Sequence, residues 1–394
     1  MTVLLDWLTQ TNGVFAPWHL GICIAAAGLA YALPFFRTSS GRLFLSVTSS
    51  ILILQEGALG LLLISSSLYG FILASRRGPL TALAPQTRWR RCYIAILAAM
   101  PLFLALRWWF ENAMQTMPRP VVWAAIAFGM WTLLRFITLL WEVGSGKVDI
   151  PSLSIYLAWL TMPFTLAGPL FRYSEFERQY VQCRASKDAR FSATPAWWKG
   201  CGAGAGKLVL GLLLGFLWRR GLPSYGVGQV GTALGLGLWS WYFVAAGYYQ
   251  LMERLAELWG FTLPRSFDKP FGRPNVSEFW ARWNMSATFV FRDYIFFNRW
   301  GRRRMHRYVN VTVLFLAVGA WHGLYPYWLT WGLMQALGFA AYLWWKTHKD
   351  RFNHVRNLIP ARRREQLSIG ITYAYLLGCW ILPTPLLRAV GLLH

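Results

Sequence analysis

An all-α protein crossing the membrane many times is the fold class this sequence predicts, and three observations predict it. Of 394 residues, 56% are hydrophobic and only 14% charged, where a soluble protein carries nearer a quarter charged residues. The apolar residues gather into long blocks, several approaching the ~20 residues needed to cross a ~30 Å hydrocarbon core. The cations behind the net charge of +24 fall between those blocks. Lipid offers the backbone no hydrogen-bond partners, so the blocks read as helices. The prediction is a polytopic protein with roughly ten transmembrane or re-entrant helices, in a single integral membrane domain over residues 1–394.

In chain order the blocks are His19–Phe36, Leu43–Ala74, Cys92–Phe110, Val121–Trp141, Ile150–Phe171, Leu208–Trp218, Val230–Leu255, Val311–Trp321, Tyr325–Trp345 and Leu367–Leu386. No Lys or Arg precedes Arg37, which sets residues 1–16 on the non-cytoplasmic side and Arg37 and Arg42 inside. Five arginines in Arg76–Arg91 mark the next cytoplasmic loop. The block between is then a hairpin or re-entrant pair broken near Gln55-Glu56. Stretches 172–199 and 346–364 are basic in the same way, which suits the positive-inside bias and contact with anionic lipid headgroups. Arg107 and Arg135 sit inside apolar blocks and must snorkel or face a cavity.

Cations spread among membrane segments do not make a nucleic-acid surface. The five cysteines are scattered without C-x-x-C or Cys/His spacing, so neither a disulfide framework nor a metal site is expected. Gly200–Gly206 lacks the G-K-[ST] ending of a phosphate loop and precedes an apolar helix; its small residues suit close helix packing.

The chemistry concentrates in the second half. Pro264–Arg307 carries ten Lys/Arg yet is dense in aromatics. Within it Asn275 or Ser277 can cap a helix with Glu278 in its first turn. Continued helically, that segment puts Trp280, Asn284 and Thr288 on one face and Arg282 off it. His322 closes an apolar run, Val311–Trp321, and an ionisable group at such depth is a functional-site hypothesis. The bland alternatives are an interfacial helix anchored by Trp and Arg, and a core histidine bonded to a carbonyl.

Four segments together resemble the membrane-bound O-acyltransferase family. Met162–Phe176 is similar to its F-P-x-x-x-x-G-P-[IL]-x-R-[YF]-x-x-F motif, and Gly260–Phe271 to G-[IF]-x-x-P-x-N-F-x-x-P-[YF]. Ser277–Ser286, leading to Phe291-Arg-Asp-Tyr294, resembles S-x-x-E-F-W-x-R-W-H-x-S followed by [FW]-R-D-[YF]. Gly319–Gly323, leading to Trp331-Gly332, resembles G-x-W-H-G and the W-G after it. The resemblance covers about 160–345. Three features depart from the pattern: Asn284 stands where bacterial glycan-modifying members usually carry His, the D-F-x-G-Y-S-D signature before Gly260 is reduced to Gly247-Tyr248, and Asn298–Arg302 replaces P-L-G-G. The last change is closer to the D-alanyl exporter branch than to the longer alginate-acetylase branch.

The resemblance implies helices around a central tunnel in a bacterial cytoplasmic membrane, with His322 as general base taking the proton of an acceptor hydroxyl. Asn284 lacks a useful pKa; its amide can hydrogen-bond an acyl carbonyl or the acceptor, or be structural. Trp280, Trp283, Arg282, Arg292 and Trp321 are the expected substrate-binding residues, the arginines either networked with Asp293 or touching a donor phosphate. No tightly bound cofactor is implied. The co-substrate is an acyl thioester, either acyl-CoA or a phosphopantetheinyl carrier protein. A small acyl group, acetyl or D-alanyl, would pass to a hydroxyl of a cell-envelope glycan, with an extracytoplasmic transferase as a further partner. A lipid or lipid-linked acceptor is the alternative, and a transporter using His322 as proton relay is the competing class.

Overall fold

The computed structural model describes residues 17–54, 119–185, 193–220, 228–293, 306–324, 326–354 and 358–383, with scattered positions between 69 and 108 and near the C-terminus. Arg107, the Gln55-Glu56 break and Asn298–Arg302 lie outside the described residues. The described chain is helical, with no β-strand among these residues. The helices are α1 (Pro17–Ala32), α2 (Ser39–Leu54), α3 (Arg119–Gly144), α4 (Leu153–Leu160), α5 (Tyr173–Ala185), α6 (Pro195–Arg220), α7 (Gly228–Leu258), α8 (Val276–Trp280), α9 (Met285–Phe291), α10 (His306–His322), α11 (Pro326–His348) and α12 (Ala361–Ile381). Among described residues one stretch, Pro195–Trp218 in α6, is long and apolar enough to cross a membrane by length and composition. Of the other long helices, α11 is diluted by Gly, Trp and Tyr, and α12 opens on Arg362, Arg363, Arg364 and Glu365.

The chain forms two compact units, one of residues 1–216 and 242–264, the other of 217–241 and 265–394. In the first, the Met162–Phe176 segment is almost wholly buried. His19 Nε2 meets the Pro163 carbonyl at 3.2 Å and Trp159 Nε1 donates to the Phe171 carbonyl at 2.9 Å. Arg135 does not snorkel: its side chain is buried, and Nη1 donates to the Leu160 carbonyl at the end of α4, 2.7 Å away. Gly168 takes φ +89°, a left-handed conformation that glycine adopts without strain, and a Cβ there would meet the Tyr249 hydroxyl at 2.8 Å. Buried Glu142 accepts from the Ser174 backbone N–H and hydroxyl at 3.0 and 2.6 Å and pairs with Lys147 at 3.1 Å. Glu175 sits in the first turn of α5 rather than in a loop; burial pushes its carboxyl above the usual range, with Arg172 opposing.

Of the glycines in Gly200–Gly206, Gly204 does what its size predicts, while Gly202 and Gly206 have open space around them. A Cβ on Gly247 of α7 would lie 2.6 Å from the Gly204 carbonyl of α6, so the two backbones touch. Beside that contact Lys207 Nζ donates to Gln250 Oε1 at 2.6 Å, and Gln250 Nε2 to the Gly200 carbonyl at 2.7 Å, which satisfies a charge on an otherwise apolar helix. On the far face Trp198, Val209 and Leu213 are exposed, as a lipid-facing surface requires.

In the second unit α10 and α11 form an antiparallel hairpin. A Cβ on Gly319 would collide with the Trp328 carbonyl, and one on Gly332 with the Phe315 carbonyl, so both glycines set the interhelical spacing. Tyr327 and Tyr375 tie α11 to α12 through the carbonyls of Trp380 and Met334, at 2.8 and 2.7 Å.

Candidate active site

The site is built on a helix that breaks. Asn275 caps α8 as its sequence predicts: Oδ1 accepts from the Glu278 N–H at 2.9 Å, while Nδ2 donates to Glu278 Oε1 at 2.8 Å. The helix then stops at Trp280 instead of running on, because Asn284 adopts a left-handed conformation, φ 40° and ψ 55°. Asparagine is among the few non-glycine residues that visit this region readily. The Pro264–Asn275 segment holds the break from outside, with the Asp268 N–H donating to the Arg282 carbonyl at 3.1 Å and the Met285 N–H to the Ser266 carbonyl at 2.7 Å. Helix α9 resumes at Met285.

Aromatic packing fixes the pieces. Buried Trp283 stacks on Trp241 and Phe279, centroids 5.5 and 5.1 Å away, and meets Phe267 and Phe271 edge-on. Trp280 meets Phe315 of α10 and Trp331 of α11 edge-on at 5.5 and 6.0 Å. Phe291 of α9 meets Trp321 at 5.7 Å. His322 is the last residue of α10, where a helix C-terminus favours positive charge. Its ring stacks on Trp328 at 4.7 Å and 20° and has Trp321 and Trp331 at 4.8 and 5.7 Å.

Between these elements lies a cavity of about 460 Å³, a volume in the range of small-molecule sites. Helices α8 and α9 form one wall and α10 and α11 the other. Of the residues singled out in the sequence, His322, Asn284, Trp280, Trp283, Arg292 and Trp321 all line it; Arg282 does not. Arg282 instead lies near its own helix, Nη1 3.4 Å from the Glu278 carbonyl. Trp280, Asn284 and Thr288 share the cavity although no continuous helix joins them. Residues of both α8 and α9 face the same space. His322 is partly buried and lines the cavity.

Asn284 is buried, and its Oδ1 lies 3.4 Å from Ser286 Oγ. Arg292 pairs with Asp293 at 2.8 Å and lies 4.6 Å over the Phe289 ring. Among the lining groups not anticipated are four on α11: Phe339, Tyr342, Leu343 and Lys346. Their spacing of three and four residues was a readable signal, one helix face, but nothing in the sequence said which face of α11 meets the cavity. Among the described residues no cluster of His, Cys, Asp and Glu could hold a metal ion.

No protein-family model matches the chain. It is similar to a teichoic acid D-alanyltransferase of Bacillus subtilis, 25% identical over 299 residues, spanning 72% of this chain and 75% of that protein. It is similar also to a probable alginate O-acetylase of Pseudomonas putida, 30% identical over 119 residues, 29% of this chain and 24% of the other. A peptidoglycan O-acetyltransferase of Helicobacter pylori is 26% identical over 142 residues, 36% of this chain and 26% of the other. Three acceptor polymers thus share one chemistry among the relatives, acyl transfer to an envelope glycan or teichoic acid. What the similarity carries across them is the transfer itself: these relatives are acyltransferases of envelope polymers, and it is to them that this chain is similar.

Proposed function

We propose that this chain, with roughly ten membrane segments in a bacterial cytoplasmic membrane, moves a small acyl group, acetyl or D-alanyl, from a cytoplasmic thioester to a hydroxyl of a cell-envelope glycan. The observation that carries the reading is the meeting of His322 and Asn284 in one apolar cavity. In the forward step a neutral His322 takes the hydroxyl proton while the alkoxide oxygen attacks the thioester carbonyl. The developing oxyanion takes a hydrogen bond from the Asn284 amide, whose Oδ1 is oriented by Ser286. Collapse forms the ester and expels the thiolate, which recovers the proton from His322. The indole of Trp328, stacked on the His322 ring, stabilises the transient imidazolium.

Trp280, Trp283 and Trp321 shape the walls, and Arg292 lines the cavity beside them. Arg282 has no part in this reading, since it does not line the cavity. The donor is acyl-CoA or an acylated carrier protein, and an extracytoplasmic transferase is the proposed further partner. The lining, predominantly apolar, also favours a second acceptor class, a lipid or lipid-linked hydroxyl.

The test is transfer by purified protein from acetyl-CoA and from an acylated carrier protein. His322→Ala abolishes transfer while the protein stays folded in the membrane. Turnover retained by that variant removes the base assignment.

A further inference from the structure

The cavity is long and its two ends differ. Val311 and His322, both in its wall, stand eleven residues apart on α10, about 16 Å along the axis. On α11, Phe339 and Leu343 pack at the level of Val311 and Phe315, and Lys346 is most of a turn further on, so the shaft from Lys346 to His322 measures about 20 Å. The wall between is Val311, Leu314, Phe315, Val318 and Phe339, with Ser277 on α8 and Thr288 on α9 as hydroxyls along it.

Two cationic side chains, Arg292 and Lys346, line this shaft, and only one suits a distant anion. Arg292 belongs to the reacting end, where neighbouring Phe291 meets Trp321, and its charge is met by Asp293 at 2.8 Å. Lys346 is exposed, sits in the last turn of α11, and has no ion-pair partner among the described residues. The carbonyl end of a helix repels anions, so an anion held there needs a cation of its own. Lys346 also begins the basic 346–364 stretch, the side of the membrane where a cytoplasmic donor arrives.

Resting on the acyl-transfer reading above, we propose that Lys346 is the specificity residue for the donor: its ammonium binds the phosphate at the base of a phosphopantetheine arm that lies along the shaft with its thioester at His322. Such an arm has an anion at one end, the thioester at the other and amides between, matching Lys346, His322 and the hydroxyls of Ser277 and Thr288. The lysine acts through binding alone, and no bond changes at it.

The experiment compares acetyl-phosphopantetheine with acetyl-pantetheine, which lacks the phosphate, as donors for the full-length protein. Lys346→Gln raises KM for the phosphorylated donor about tenfold, leaves kcat within about twofold, and leaves KM for acetyl-pantetheine unchanged. Lys346→Arg restores most of the loss, and Lys349→Gln, whose side chain does not line the cavity, changes neither donor. Equal changes for both donors overturn the assignment and are what a lysine holding a lipid headgroup phosphate at the mouth would give. No change for either overturns it too. A wild-type protein that transfers from neither acetyl-CoA nor an acylated carrier protein sinks the acyl-transfer reading itself, whereas transfer from these without a phosphate-dependent difference between the two short donors sinks only the role of Lys346.

Discussion

Asn284 combines a backbone demand with a chemical one, and the two can be separated by substitution. Its φ of 40° strains alanine but not glycine, and alanine at a positive φ costs about 1 kcal/mol or more. Asn284→Gly keeps the break between α8 and α9 and removes only the amide. If the amide stabilises the oxyanion, both Asn284→Gly and Asn284→Ala lower turnover at least ~10-fold, the order of magnitude of one lost donor; a glycine variant within about twofold of wild type makes the residue structural. Sequence spacing grouped these residues here by an incomplete route. A continuous helix would group Trp280, Asn284 and Thr288, and the cavity does group them, but through a left-handed residue that no periodicity encodes. The cap at Asn275 was legible because it is local chemistry, one side chain against the next turn.

At the scale of elements, the α10–α11 hairpin decides where His322 stands. Glycine inside a helix is worth about 1 kcal/mol less than alanine, so Gly319 and Gly332 are tolerated only because the backbones need their space. Gly319→Ala drives a methyl into the Trp328 carbonyl, and with no flexible atom able to yield, the expected loss is about 1–3 kcal/mol. Thermal unfolding in detergent checks it, together with falling transfer activity as the His322 ring leaves the Trp328 face. Gly202→Ala in α6 is the matched control: nothing lies within 4 Å of its added methyl, so stability is unchanged or slightly raised. An unaltered melting temperature in Gly319→Ala would mean the helices can slide apart at little cost. The sequence marked this hairpin through its two apolar runs around Gly323-Leu324. It could not mark the long shaft between the hairpin and α8–α9, which depends on which faces meet in three dimensions.

For the whole molecule the open question is which loops share a side of the membrane, and α6 supplies the reference. Its Pro195–Trp218 stretch is long and apolar enough to span, and the prediction is that residues on either side of it lie in opposite compartments. The basic stretches 172–199 and 346–364 both belong inside by the positive-inside bias, which leaves the short segment near Ser224 outside. Single cysteines at Lys187, Ser224 and Arg363, in a background with all five native cysteines replaced, report this through a membrane-impermeant maleimide. In intact spheroplasts Ser224→Cys reacts and the other two do so only after lysis. The same geometry bears on chemistry: Lys346 then opens to the cytoplasm, where thioester donors are made, and His322 lies about 20 Å deeper, within reach of an acceptor from the other face. Labelling of Arg363→Cys in intact spheroplasts would turn the shaft's mouth outward, and a cytoplasmic donor could then no longer enter beside Lys346.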